Sequence, residues 1–262
     1  MFNTIKTVIF DLDGTLYCGD SPVQNAEYVT NQLRKIGIQV LFLTNNSVKT
    51  RKQIEEKLHN FNIQCSIDEI FTSGYMSVLY AQNKKLTDIY ICGSDGLREE
   101  FENAGFIHTD TKNAKNIVIG YNPDFSYKKL TEAFLVARNA EYIIACNKER
   151  SFPGNDNKLF PGCGAMVAPI EFCTNRTVDV VVGKPSVEML KLICQKYNLK
   201  PNQLLMVGDT YESDILMAKN FGCYSAYFNA NPDKIKFPSD MHINELSQLY
   251  SYFHNRGSQC EL

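Results

Sequence analysis

Short runs of three to five mostly apolar residues alternate with longer amphipathic stretches along most of the chain, and polar residues follow each run. Thr7–Phe10, Gln39–Leu43, Ile70–Thr72, Val178–Val182, Leu204–Val207 and Tyr224–Phe228 read as buried strands. Between them, helical spacing appears from Pro22 to Ile36, with Val29, Leu33 and Ile36 on one side, and from Thr50 through Ile54, Leu58 and Phe61. Thr50 and Gln53 have the spacing of a capping box, and Ser73 is expected to cap a helix through Gln82. Val187, Leu190, Ile193 and Tyr197 mark a helix whose first turn is expected at Pro185. Another helix passes through Ile215 and Ala218 to Gly222, and a last one covers Ile243 to Phe253. Strands alternating with helices predict an α/β fold: a Rossmann-like parallel sheet covered by helices.

A second rhythm begins near Lys84. Strands at Asp88–Cys92, Asn116–Gly120 and Tyr142–Cys146 alternate with helices at Leu97–Ala104 and Tyr127–Ala140. A long polar loop, Asn147–Gly164, follows, and then a helix between Ala165 and Cys173. We expect residues 1–83 and 178–262 to form one domain and residues 84–177 a smaller α/β domain inserted into it.

Composition narrows the classes of function. Net charge is −2 and 21% of the 262 residues are charged, so no broad basic surface invites nucleic acid. No apolar run approaches the roughly 20 residues that span a bilayer, so no membrane partner is expected. The opening Met1-Phe2-Asn3-Thr4 lacks the pattern of a secretory leader. Nine cysteines, an odd number without a CxxC pair, read as reduced thiols in a cytoplasmic protein. Four histidines without ligand spacing argue against a histidine-based metal or nucleophile site.

Candidate chemistry sits at four strand ends: Asp11/Asp13, Thr44/Asn45, Lys184 and Asp209/Asp214. Two carboxylates two residues apart repel unless a cation lies between them or one is protonated. That suits one aspartate as nucleophile, its neighbour as proton carrier and Mg²⁺ as counter-charge. Taken singly, each motif reads equally as an Asx turn, a helix cap or a solvated loop lysine. Together they form a working set for phosphoryl transfer, which depends on positioning and charge stabilisation.

The ordered set resembles the haloacid dehalogenase (HAD) superfamily, and within it the NagD-like phosphatases with an inserted α/β cap. Asp11-Leu12-Asp13-Gly14-Thr15-Leu16-Tyr17 resembles the first motif, Leu43-Thr44-Asn45-Asn46-Ser47 the second, Gly183-Lys184-Pro185-Ser186 the third, and Gly208-Asp209 with Ser213-Asp214-Ile215 the fourth. The resemblance implies Asp11 as nucleophile and Asp13 as general acid, then base. It implies Thr44, Asn45 and Asn46 as phosphoryl or substrate contacts, and Lys184 as the neutralising cation. Mg²⁺ would be held by Asp11, the Asp13 carbonyl, Asp209 and Asp214. The inserted cap would select the substrate, a small phosphate ester, and would pair into a homodimer. Its loop from Asn147 to Pro153 would overhang the site; many relatives carry Pro-Asp where this chain has Lys148-Glu149. Glu149 and Arg150 divide evenly between substrate contacts and solvated charges. Asp13 speaks against the dehalogenase branch, which lacks a second aspartate. A Mg²⁺-dependent phosphatase is therefore expected, with a phosphomutase or a catalytically idle binding protein as alternatives.

Overall fold

A computed structural model describes residues 3–153, 158–230 and 238–254. Met1, Phe2, Gly154 and Cys260, which entered the sequence reading, lie outside the described residues. In chain order, the first elements are β1 (Thr7–Asp11), β2 (Tyr17–Cys18), β3 (Ser21–Pro22), α1 (Ala26–Lys35), β4 (Gln39–Thr44), α2 (Arg51–Asn60), β5 (Ile70–Thr72) and α3 (Ser73–Asn83). Next come β6 (Ile89–Cys92), α4 (Asp95–Asn103), β7 (Asn116–Ile119), α5 (Tyr127–Ala137), β8 (Tyr142–Ala145), β9 (Ser151–Pro153), β10 (Leu159–Pro161), α6 (Gly164–Thr174) and β11 (Val180–Val181). The chain continues through α7 (Glu188–Tyr197), β12 (Leu204–Gly208), α8 (Leu216–Phe221), β13 (Tyr224–Phe228), β14 (Met241–Ile243) and α9 (Leu246–His254). Two compact units result among the described residues: one holds those up to Thr44, Ile54–Phe71 and those from Ile193 on, and the other holds those of Asn45–Gln53 and Thr72–Leu192.

The first unit is built on a six-stranded sheet in the order β14-β13-β12-β1-β4-β5. The pairs from β14 to β4 are parallel. Its central strands are buried along their whole length because helices cover both faces of such a sheet. Phe10, Val8, Phe42, Leu205, Leu33 and Leu249 belong to one continuous core. Register places the chemistry: Asp11 lies opposite Leu43 of β4, and Phe10 lies opposite Val207 of β12. The residues after Leu43 and Val207, Thr44 and Gly208-Asp209, therefore leave the sheet at the same edge as Asp11.

The second unit carries a four-stranded sheet in the order β11-β8-β7-β6, all parallel. Ile117, Ile119, Ile143, Ala145, Val136 and Val167 form its core.

Several expected boundaries shift for physical reasons. The first helix starts at Ala26 instead of Pro22, since Ser21–Pro22 pair antiparallel with Tyr17–Cys18. Thr72, not Ser73, caps α3: its hydroxyl accepts the Tyr75 amide at 3.0 Å. The Ser73 hydroxyl instead donates to the Asn45 carbonyl at 2.7 Å. The capping box at Thr50 and Gln53 is present, with reciprocal bonds of 3.0 and 3.3 Å. The loop from 147 to 164 contains a short antiparallel hairpin, β9 with β10. Val178–Val182 yields only the half-buried two-residue strand β11, paired with β8. The helix after it begins at Glu188, not Pro185. The last helix begins at Leu246 because Met241–Ile243 extends the large sheet. Among the described residues, no helix is long and apolar enough to cross a membrane.

Candidate active site

In the first unit, β1 delivers Asp11 buried, at 5% exposure, and the chain then turns within a few residues. The Leu12 carbonyl accepts the amides of Thr15, Leu16 and Tyr17, while the Gly14 amide donates to the Tyr17 carbonyl at 2.7 Å. Gly14 has φ of 93°, a conformation that side chains resist. A Cβ at that position would also overlap the Asp209 carboxylate. The glycine is thus required twice, for the turn and for the close approach of Asp209.

Carboxylate oxygens of Asp11, Asp209 and Asp214 all lie within 4.8 Å of one another. Asp214 is fully buried and Asp209 half-buried. Asp214 reaches this position from a single π-helical turn, Tyr211–Ile215. The Thr210 amide donates to Asp214 Oδ2 at 3.1 Å, which fixes the carboxylate as the backbone leaves β12. The Thr15 hydroxyl lies 3.3 Å from Asp11 Oδ2 and 3.4 Å from Asp209 Oδ1 and has one proton to donate between them. Three carboxylates so close are mutually repulsive, and a hydroxyl offsets little of that. An all-oxygen donor set of this kind fits a hard divalent cation.

Asp13 stands apart from this cluster in exposure. It lies on the surface of the same turn, and the Tyr17 hydroxyl donates to its Oδ2 at 3.4 Å. Tyr17 is itself buried; burial first, then the charges of Asp13 and Asp11, push its hydroxyl far above the usual range, so it stays a proton donor. Thr44 ends β4 buried.

The other sequence-predicted residues meet inside the second unit. The Asn45 side chain donates from Nδ2 to Glu149 Oε1 at 2.9 Å and to the Lys184 carbonyl at 3.0 Å. Its Oδ1 accepts the Lys184 amide at 2.8 Å. Asn147 donates from Nδ2 to the Asn45 carbonyl at 2.7 Å, and its Oδ1 accepts the Glu149 amide at 3.1 Å. Lys184 is 4% exposed. Asn46 closes an Asx turn, its Oδ1 accepting the Val48 and Lys49 amides at 2.9 Å each.

Two participants carry no role in the sequence reading. Thr15 sits within the first motif, and its spacing of four from Asp11 was the available signal. Asn147 appeared only as the first residue of a loop; its bond to the Asn45 carbonyl has no local signal, because Asn45 is more than a hundred residues away.

Residues 8–107 match the family model for haloacid dehalogenase-like hydrolases, and residues 181–228 match a HAD-hydrolase-like model. Phosphoglycolate phosphatase 2 of Arabidopsis thaliana is 31% identical, with 85% of this chain and 82% of that protein covered. Sugar-phosphatase AraL of Bacillus subtilis is 31% identical, over 84% of this chain and 81% of that protein. The solved p-nitrophenyl phosphatase from Archaeoglobus fulgidus superposes with a TM-score of 0.88 at 26% identity, covering 95% of this chain and 99% of that one. The chain therefore belongs to the haloacid dehalogenase-like hydrolases, in their NagD-like phosphatase branch.

Proposed function

We propose that the protein is a Mg²⁺-dependent phosphatase that hydrolyses small phosphomonoesters through an aspartyl-phosphate on Asp11. The observation that carries this reading is the convergence of Asp11, Asp209 and Asp214 beyond the ends of β1 and β12, with Asp13 on the same turn. The naming of relatives as phosphoglycolate and sugar phosphatases supports the substrate class.

In this reading the Asp11 carboxylate attacks phosphorus, and Asp13 protonates the departing alcohol oxygen. Asp13 then takes a proton from the water that opens the aspartyl-phosphate. Its exposure suits a group that must exchange protons with solvent. Tyr17 holds one Asp13 oxygen through its hydroxyl. Thr44, with Asn45 and Asn46, contacts the phosphoryl oxygens or the substrate, and Lys184 offsets their charge. Asp11, the Asp13 carbonyl, Asp209 and Asp214 are the residues that would hold Mg²⁺, which supplies charge neutralisation at the phosphoryl group. Residues 84–177 serve as the substrate-selecting cap and as a homodimer surface. A cytoplasmic setting fits the odd number of cysteines.

The test is a panel of phosphate esters assayed with and without Mg²⁺, using the wild type and Asp11→Asn. Release of inorganic phosphate that needs both Mg²⁺ and Asp11 is expected. Full turnover by Asp11→Asn, or none by the wild type on any ester, overturns the reading.

A further inference from the structure

We infer that Glu149 is a positioning residue: through the Asn45 amide, its carboxylate fixes the backbone of Lys184, and so ties the long loop to the catalytic lysine. This inference rests on the reading above, in which Lys184 takes phosphoryl charge.

An asparagine amide has two N–H donors and one carbonyl acceptor, and a flip of the group exchanges their positions. Asn45 spends both kinds on Lys184, giving a proton to its carbonyl and taking one from its amide. That pair alone fixes which end is nitrogen. The second Nδ2 proton goes to Glu149 Oε1 at 2.9 Å, an acceptor that cannot serve the flipped group because a carboxylate has no proton to give. Glu149 thus strengthens the one orientation that holds Lys184. A carboxylate acceptor also makes this bond stronger than a neutral one.

The surroundings leave little room for other arrangements. A Cβ on Gly183 would run into Asn45 Oδ1, the Cys146 carbonyl and Asn147 Cβ, so the amide is packed directly against the backbone that precedes Lys184. Glu149 is held from its own side, its amide by Asn147 Oδ1 and its carbonyl by the Gly164 amide at 2.9 Å. Asn147 in turn holds the Asn45 carbonyl, with Ser73 as that carbonyl's second donor. Glu149 and Asn45 therefore belong to one supported frame, and Lys184 emerges from it with its main chain clamped on both polar groups. Small losses of position at a catalytic group cost rate far out of proportion to the hydrogen bond removed.

The test compares Glu149→Ala and Glu149→Gln on two unlike esters, p-nitrophenyl phosphate and a sugar phosphate, and follows exchange of the Lys184 amide by NMR. The expected result for Glu149→Ala is a kcat about 10-fold lower on both esters by the same factor, with KM little changed. Lys184 amide exchange should accelerate about 10-fold. Glu149→Gln keeps an acceptor for Asn45 and should recover most of both. In an Asn45→Ala background, Glu149→Ala should add nothing. A change confined to KM, or one that differs between the two esters, assigns Glu149 to substrate contact and overturns the inference. Unchanged exchange at Lys184 overturns it as well, whatever the activity. A wild type inactive on every ester would instead defeat the phosphatase reading, and the exchange data would still decide whether Glu149 orders Lys184.

Discussion

The carboxylate cluster of the first unit and the amide network of the second solve opposite electrostatic problems. Asp11, Asp209 and Asp214 bring like charges within 4.8 Å of one another, with the Thr15 hydroxyl and the Thr210 amide among their donors. Around Asn45, by contrast, both side-chain donors and the acceptor find complementary partners inside the unit. The first arrangement gathers like charges, and a supplied cation should stabilise it. The second is complete as folded and acquires nothing from a cation. Geometry is critical to both, but charge only to the first.

The sharpest way to break this contrast is Asp11→Asn. Loss of the proposed nucleophile should lower turnover by about 10⁴-fold or more, while removing one of three like charges leaves the metal-free thermal midpoint unchanged or raised. A metal-free midpoint that falls by several degrees would show that the cluster is not repulsive.

Next in size is Gly183→Ala. The added methyl collides with Asn45 Oδ1 and the Cys146 carbonyl, neither of which is the end of a long flexible side chain. Overpacking plus a disturbed hydrogen-bond pair should cost about 3 kcal/mol, equally with and without Mg²⁺. Chemical denaturation at both metal conditions measures it; a cost that Mg²⁺ erased would blur the distinction between the regions.

A Mg²⁺ titration of thermal stability probes the first region directly. At a hundredfold excess over the dissociation constant, binding to the native state adds about 2.7 kcal/mol. Asp209→Asn should abolish most of that gain. Equal gains in the two proteins would locate the cation elsewhere.

The smallest effect expected is in thiol reactivity. Burial pushes the thiols of Cys92, Cys146 and Cys223 up to about 12, so they remain protonated and shielded at neutral pH. Because the thiolate is the reactive form, labelling of these three stays slow up to their pKa in the native state. Among the described cysteines, exposed Cys18 and Cys173 should label first. At Cys18, burial and the charges of Asp209 and Asp13 raise the thiol, so saturating Mg²⁺ should modestly quicken its labelling. Mass-spectrometric footprinting gives the order.

Much of this was legible in the chain. The apolar runs at Thr7–Phe10, Gln39–Leu43 and Leu204–Val207 announced buried parallel strands, because a strand covered on both faces has no solvent side to alternate toward. The Thr50–Gln53 cap was legible because both partners sit within one helical turn. Less legible were features set by distant partners. Pro22 looked like part of a helix until Tyr17 claimed it for a ribbon. Ser73 looked like a cap, yet its hydroxyl serves the Asn45 carbonyl, 28 residues away in sequence. The loop after Cys146 gave no hint of its hairpin, since Ser151–Pro153 and Leu159–Pro161 are too short to show a period.

The sequence by itself determined which residues could carry chemistry and which ends of which strands they would occupy, because hydrophobic period and motif order are local and directional. The fold alone decided that Asp11, Asp209 and Asp214 share one space, that Gly14 must lack a Cβ to admit Asp209, and that Asn45 faces Glu149 and the Lys184 backbone. Those outcomes depend on strand register and chain crossings between residues as many as two hundred positions apart. No local pattern encodes such pairings, because the contacts exist only once the intervening chain has packed.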